Sequence, residues 1–170
     1  MNHKSPRPHL WNQRIEEVVK DIEDQSKQYK KIHGEKAIYY RTLYNRCVGM
    51  AVFISPLATT VSGIGLLIFP EESFILTITT TLLTFLSGVI FSYVKYNKIE
   101  ELSTSHNLAA LRYTSLEKNI HRQLLLYKSD RISPQQYLEW LSTTFDELLI
   151  TSPYIDDEDL LWSHLNTDNG

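Results

Sequence analysis

Two stretches without a single charged side chain constrain this chain more than anything else in it. The first runs from Cys47 to Phe69 and the second from Ser73 to Val94, with Pro70, Glu71 and Glu72 between them. Each is close to the roughly 20 residues that an α-helix needs to cross a hydrocarbon core of about 30 Å. Proline followed by two carboxylates ends a helix and stays hydrated. A link that short makes the two helices antiparallel neighbours. The reading is an all-α membrane protein built on a two-helix transmembrane hairpin, with spans at 47–69 and 73–94 and a tight loop at 70–72. The competing reading is a soluble protein with two buried core helices. Such helices carry a polar stripe every third or fourth residue; here Ser and Thr are the only polar side chains within the spans.

The charges around the hairpin orient it. Arg41 and Arg46 precede the first span, Lys95 and Lys98 follow the second, and the loop has no basic residue. The positive-inside rule then sets both termini on the cytosolic side. Tyr39, Tyr40 and Tyr44 on one flank and Tyr93 and Tyr96 on the other read as one interfacial aromatic belt. Net charge is +4 over 1–46, −2 over 47–94, +3 over 95–129 and −8 over 130–170, giving −3 for the whole chain. Basic arms beside a membrane and an acidic region further out fit that distribution. It offers nothing to a nucleic-acid partner. The single cysteine, Cys47, rules out an intrachain disulfide and fits a reducing compartment. It also sits where palmitoylation is an option. The polar N-terminus carries no secretory signal.

Small and hydroxylated residues recur inside the spans at helical spacing: Ser55, Thr59 and Gly63 in the first, and Thr77, Thr81, Thr84, Gly88 and Ser92 in the second. Each set shares a helix face. Two readings stay open, close helix packing or the lining of a pore built from several hairpins. No ionisable group lies within a span to support a proton or charge relay. Pro56 is expected to bend the first span or free a carbonyl near Val52.

Helical arms flank the hairpin. After a polar tail at 1–10, residues 11–46 form an amphipathic helix with a stripe of Ile15, Val18, Ile22, Tyr29, Ile32, Tyr39 and Leu43, weakened by Gly34. The second arm, 95–129, carries Ile99, Leu102, Ala109, Tyr113, Leu116, Ile120 and Tyr127, interrupted by His106 and Gln123. The simplest structure extends the antiparallel pair as long cytosolic arms. Ser133, Pro134 and Gln136 then mark a helix start, with Tyr137, Leu138, Leu141, Phe145, Leu148 and Leu149 on its apolar face. Pro153 ends it, and Asp156–Asp159 open a last short helix, so the C-terminal helices with their acidic segment fill 133–165.

Catalytic chemistry is not visible. The six histidines, His3, His9, His33, His106, His121 and His164, fall in no metal or nucleophile motif. There is no glycine-rich phosphate loop. The chain therefore reads as non-enzymatic, with no catalytic residues, cofactor or metal. Lys27, Lys30, Lys31 and Lys36 read as a solvated basic face with an option on anionic head groups.

The order of parts, together with Tyr29–Tyr44, the segment Pro56-Leu57-Ala58-Thr59-Thr60-Val61-Ser62-Gly63, Ile132-Ser133-Pro134-Gln135-Gln136-Tyr137 and Ser152-Pro153-Tyr154-Ile155, resembles the SLATT domain. This is a two-transmembrane domain of nucleotide-sensing conflict systems, and the resemblance covers roughly 11–155. It implies two alternative roles and no catalytic residues. One is a structural membrane component, such as a minor capsid-type protein of the virion's internal membrane in a large DNA virus, anchoring a helical cytosolic-side head within a larger assembly. The other is a pore-forming effector that oligomerises and permeabilises a membrane. The expected partners are the lipid bilayer and other protein subunits, in a homo- or hetero-oligomer, met through the arms and the acidic C-terminal region.

Overall fold

The computed structural model describes residues 11–68 and 73–156, and everything described is helix or short connection, without a strand. Four helices follow in order: α1 (Gln13–Ile68), α2 (Ser73–Tyr96), α3 (Ile99–Leu125) and α4 (Pro134–Thr151). The polar tail at 1–10, the loop at 70–72 and the last short helix beyond Asp156 lie outside the described residues.

The chain divides into two compact units at Lys36/Ala37 and Thr104/Ser105. Helix α1 belongs to both, because nothing stops it at the expected arm–span boundary near Arg46. Gly34 and Pro56 both lie within it. A single interior glycine costs about 1 kcal/mol relative to alanine, too little to end a helix of this length. At Pro56 the missing amide leaves the Val52 carbonyl without its helical donor, but the helix runs on.

The first unit contains the N-terminal part of α1, most of α3, and α4. Its core is Trp11, Val19, Tyr113, Leu116, Ile120, Tyr137, Leu141, Phe145 and Leu148, with Ile15, Ile22, Tyr29, Leu124 and Leu138 against it. The apolar face read for α4 is the face it buries, apart from Leu149, which is exposed. Its start is also as read, with Ser133 as N-cap and Pro134 in the first turn. The Ser133 hydroxyl, however, donates to the Gln136 side-chain oxygen at 2.8 Å and makes no side-chain cap bond to the backbone. Between α3 and α4 the chain is fastened by Arg131. Its guanidinium donates to Glu16 (2.6 Å) and to the carbonyls of Leu124 (2.7 Å) and Leu126 (3.0 Å), and lies 5.0 Å from the Trp11 ring centroid. The Trp11 indole N–H donates to the Ile132 carbonyl at 2.8 Å.

The second unit, Ala37–Thr104, holds the rest of α1, all of α2 and the first residues of α3. Its contacts run antiparallel. Ser103 donates to the Ala37 carbonyl (3.0 Å), Ser87 donates to the Ala51 carbonyl (3.2 Å), and Leu76 lies against Gly65. The second arm does not continue α2. Lys98 takes a left-handed backbone (φ 49°), and a tightened turn from the Lys98 amide to the Lys95 carbonyl (3.2 Å) closes α2 before α3 begins. The Asn97 side chain caps the same end, donating to the Tyr93 carbonyl at 2.9 Å.

Candidate membrane-facing surface

In the second unit the usual arrangement of a water-soluble fold is inverted. The residues buried between the helices are small or short: Cys47, Ala51 and Ala58 from α1, and Ser87 with Val94 from α2. The phenylalanines and many of the aliphatic side chains point away. Phe53 is 81% exposed, Phe74 74% and Phe85 69%, and Leu57, Ile64, Ile68, Ile75 and Leu82 are each more than half exposed. Soluble monomers rarely expose more than a few hundred Å² of contiguous apolar surface. Here aromatic and aliphatic side chains stand open along both helices.

Both helices are long and apolar enough to cross a membrane. Of the 18-residue stretch that qualifies within 13–65, 17% is buried, and of the one within 74–125, 6%. A core helix of a soluble protein meets the same criteria of length and composition but is mostly buried. These stretches are not.

The seam between α1 and α2 follows a strict alternation of four and three residues. On α1 it runs through Cys47, Ala51, Ile54, Ala58, Val61 and Gly65, and on α2 through Leu76, Thr80, Leu83, Ser87, Ile90 and Val94, all buried or half-buried. Small residues in such a seam let backbones approach. At Gly65 a β-carbon would come within 2.8 Å of Leu76 Cδ1. The stripes singled out in the sequence lie elsewhere. Ser55, Thr59, Gly63, Thr77, Thr81, Thr84 and Gly88 are all exposed. Four of them, Thr59, Gly63, Thr81 and Thr84, come together with Ala58, Ser62, Thr80 and Phe85 along one outer groove.

Several threonines of the pair bond back to their own helix, three of them in these stripes. Thr59 donates to the Ser55 carbonyl (3.2 Å), Thr60 to Pro56 (2.9 Å), Thr79 to Ile75 (2.9 Å), Thr81 to Thr77 (2.7 Å) and Thr84 to Thr80 (2.9 Å), each one turn back on its own helix. A threonine bonded this way carries no unmet donor into an apolar medium.

At the other end of the same unit, Tyr40, Leu43 and Tyr44 rest on a small cluster of Cys47, Val94 and Ile99. Tyr39, Tyr93 and Tyr96 stand exposed beside them in sequence, as do Arg41, Arg46, Lys95 and Lys98. The tyrosines and basic residues from the two flanks thus meet at one end of the helix pair. Cys47 has its thiol in the seam.

The basic run of the first unit is largely engaged within the chain. Lys27 pairs with Glu23 and Asp24 (3.0 Å each), Lys30 with Glu117 (2.7 Å) and Lys36 with Asp156 (3.8 Å). Among the described residues no group of three or more His, Cys, Asp or Glu is arranged to hold a metal ion.

Sequence reasoning missed a buried polar seam in the first unit. Glu23, Ser26, His33, His106 and Gln123 are all buried there. His33 and His106 face each other with Nδ1 atoms 2.8 Å apart. The signal for it was the spacing of His106 and Gln123 in the α3 stripe. On α1 the polar members Glu23, Ser26 and His33 lie beside an apolar stripe whose Ile15, Ile22, Tyr29 and Ile32 also turn inward, so hydrophobicity does not mark them.

Comparison with known proteins finds no matching family model, no matching curated protein and no matching solved structure.

Proposed function

We propose that this protein is a membrane anchor: the second unit inserts α1 and α2 as a two-span hairpin, and the first unit is a folded helical head that meets other protein subunits. The observation that carries the reading is the inverted packing of the second unit, with small residues inside and Phe53, Phe74 and Phe85 outside. In water this would cost on the order of 25 cal/mol for every Å² of apolar surface left open. In lipid it costs nothing, and small residues at the seam become the better choice. The cluster of tyrosines and basic residues supports a head and both termini on the cytosolic side. The resemblance to the SLATT domain gives the setting, a structural protein within a larger assembly such as the internal membrane of a large DNA virus particle.

The second reading, a pore-forming effector, draws on the outer groove of Thr59, Ser62, Gly63, Thr80, Thr81 and Thr84. The back-bonding of Thr59, Thr81 and Thr84 favours the anchor, because those hydroxyls need no water-filled lumen to satisfy them.

Alkaline extraction of membranes from expressing cells tests the anchor. The wild-type chain is expected to stay in the pellet. Leu57→Arg combined with Phe85→Arg should move it to the supernatant, since a charged residue at mid-bilayer costs about 2.5–3.5 kcal/mol on insertion scales. A wild-type chain released by alkali overturns the reading. In dye-loaded liposomes the inserted protein is expected to give no release, and rapid release would favour the pore.

A further inference from the structure

We infer that His33 and His106 form a proton-operated latch in the first unit, holding α1 to α3 while both imidazoles are neutral and letting go as the surroundings acidify. Three observations carry it. The rings meet Nδ1 to Nδ1 at 2.8 Å, a distance that requires one nitrogen to donate and the other to accept. The two rings must therefore be in opposite tautomers, and two protonated rings cannot keep the contact. Both residues are buried, His33 completely. The second nitrogen of His33, Nε2, has no hydrogen-bond partner. Proton uptake on His33 puts an N–H on both nitrogens, so a charged ring with an unmet donor would sit in the core.

The groups around the pair do not welcome that charge. On α1, Lys36 is one turn away and repels it, and its own counter-charge, Asp156, is 3.8 Å from the ammonium. From α3, Tyr113 stacks on the His33 ring with centroids 5.7 Å apart and planes within 14°, and His106 faces it directly. Tyr113 is in turn stacked on Tyr29 and met edge-on by Phe145 of α4. Further along the same face, Lys30 and Glu117 neutralise each other. Burial first, then His106 and Lys36, push the His33 imidazole down from 6.5 to about 4.

The direction of the effect follows. A base whose folded pKa is depressed binds fewer protons in the folded state than in the opened one across the window between the two values. The stability of the contact is complete above about 6.5 and is lost progressively as pH falls toward about 4. The folding equilibrium of the unit should drop about tenfold between pH 7.5 and 5.5 on this account.

The test uses the full chain in detergent micelles or nanodiscs, following unfolding of the first unit through the Trp11 and Trp140 fluorescence between pH 7.5 and 5.5. The wild type is expected to lose about tenfold in its folding equilibrium, and the double variant His33→Gln, His106→Gln less than about twofold. A flat wild-type profile, or a double variant as steep as the wild type, overturns the latch. If the double variant does not fold, ¹⁵N shifts of the wild-type imidazoles decide. A His33 ring still neutral at pH 5.5 in the folded protein supports the latch, and one already charged there overturns it.

Discussion

The two units share α1 and solve opposite problems with it. Over 13–36 the helix buries Val19 and half-buries Ile15, Ile22 and Tyr29 while its lysines stay at the surface. Over 37–68 it buries Ala37, Cys47, Ala51 and Ala58 and turns Phe53, Leu57 and Ile64 outward. One rule accounts for both. Large apolar side chains turn inward only when the medium rejects them. In an apolar medium that drive disappears, and what remains is the gain from bringing two backbones close. The inversion along a single helix is what the proposed anchor requires.

Four substitutions can break or sharpen this contrast. The largest effect is expected from Leu141→Ala, which opens a cavity in the first unit where the side chain is fully buried. It should cost about 2–5 kcal/mol, read as a shift in the denaturant midpoint of the head. Leu82→Ala, on an exposed site of the second unit, should change the stability of the helix pair, measured by steric trapping in bicelles, by less than about 0.5 kcal/mol. Equal effects would mean that the second unit is not inverted. Next comes Ser87→Leu, which forces a large side chain into the seam where Ser87 bonds the Ala51 carbonyl. Overpacking there should cost about 1–3 kcal/mol, measured as loss of helix-pair stability by steric trapping in bicelles, although the substitution makes the span more apolar. Smallest is Gly34→Ala in the first unit. A β-carbon there meets nothing within 4 Å, so the helix should gain about 1 kcal/mol, visible as a higher midpoint for the head alone.

Much of this was legible in the sequence, and the exceptions have a common cause. The face of α3 was readable, His106 and Gln123 included, because its apolar residues recur on one clean heptad. The face of α4 and its start at Ser133-Pro134 were readable for the same reason. On α1 the apolar stripe gives only part of the buried face, through Ile15, Ile22, Tyr29 and Ile32. Val18 and Tyr39 stand exposed while Glu23, Ser26 and His33 are buried. Hydrophobicity alone cannot find a seam whose buried members are polar, because what makes their burial tolerable is a partner such as His106, 73 positions along the chain. The spans show the same limit. A stripe of hydroxyls is easily noticed in a sequence, but the contact between α1 and α2 runs through alanines, one glycine and Ser87 interleaved with aliphatic residues such as Ile54, Leu83 and Ile90, which draw no attention in an apolar run. The break at Asn97 and Lys98 has no glycine or proline to announce it, and is seen only in the left-handed backbone of Lys98.

Arg131 has a structural consequence. One guanidinium touches the Trp11 ring, the Glu16 carboxylate and the carbonyls of Leu124 and Leu126. Removing that single side chain would release all four partners at once, so the N-terminal end of the head and the α3–α4 connection stand or fall together.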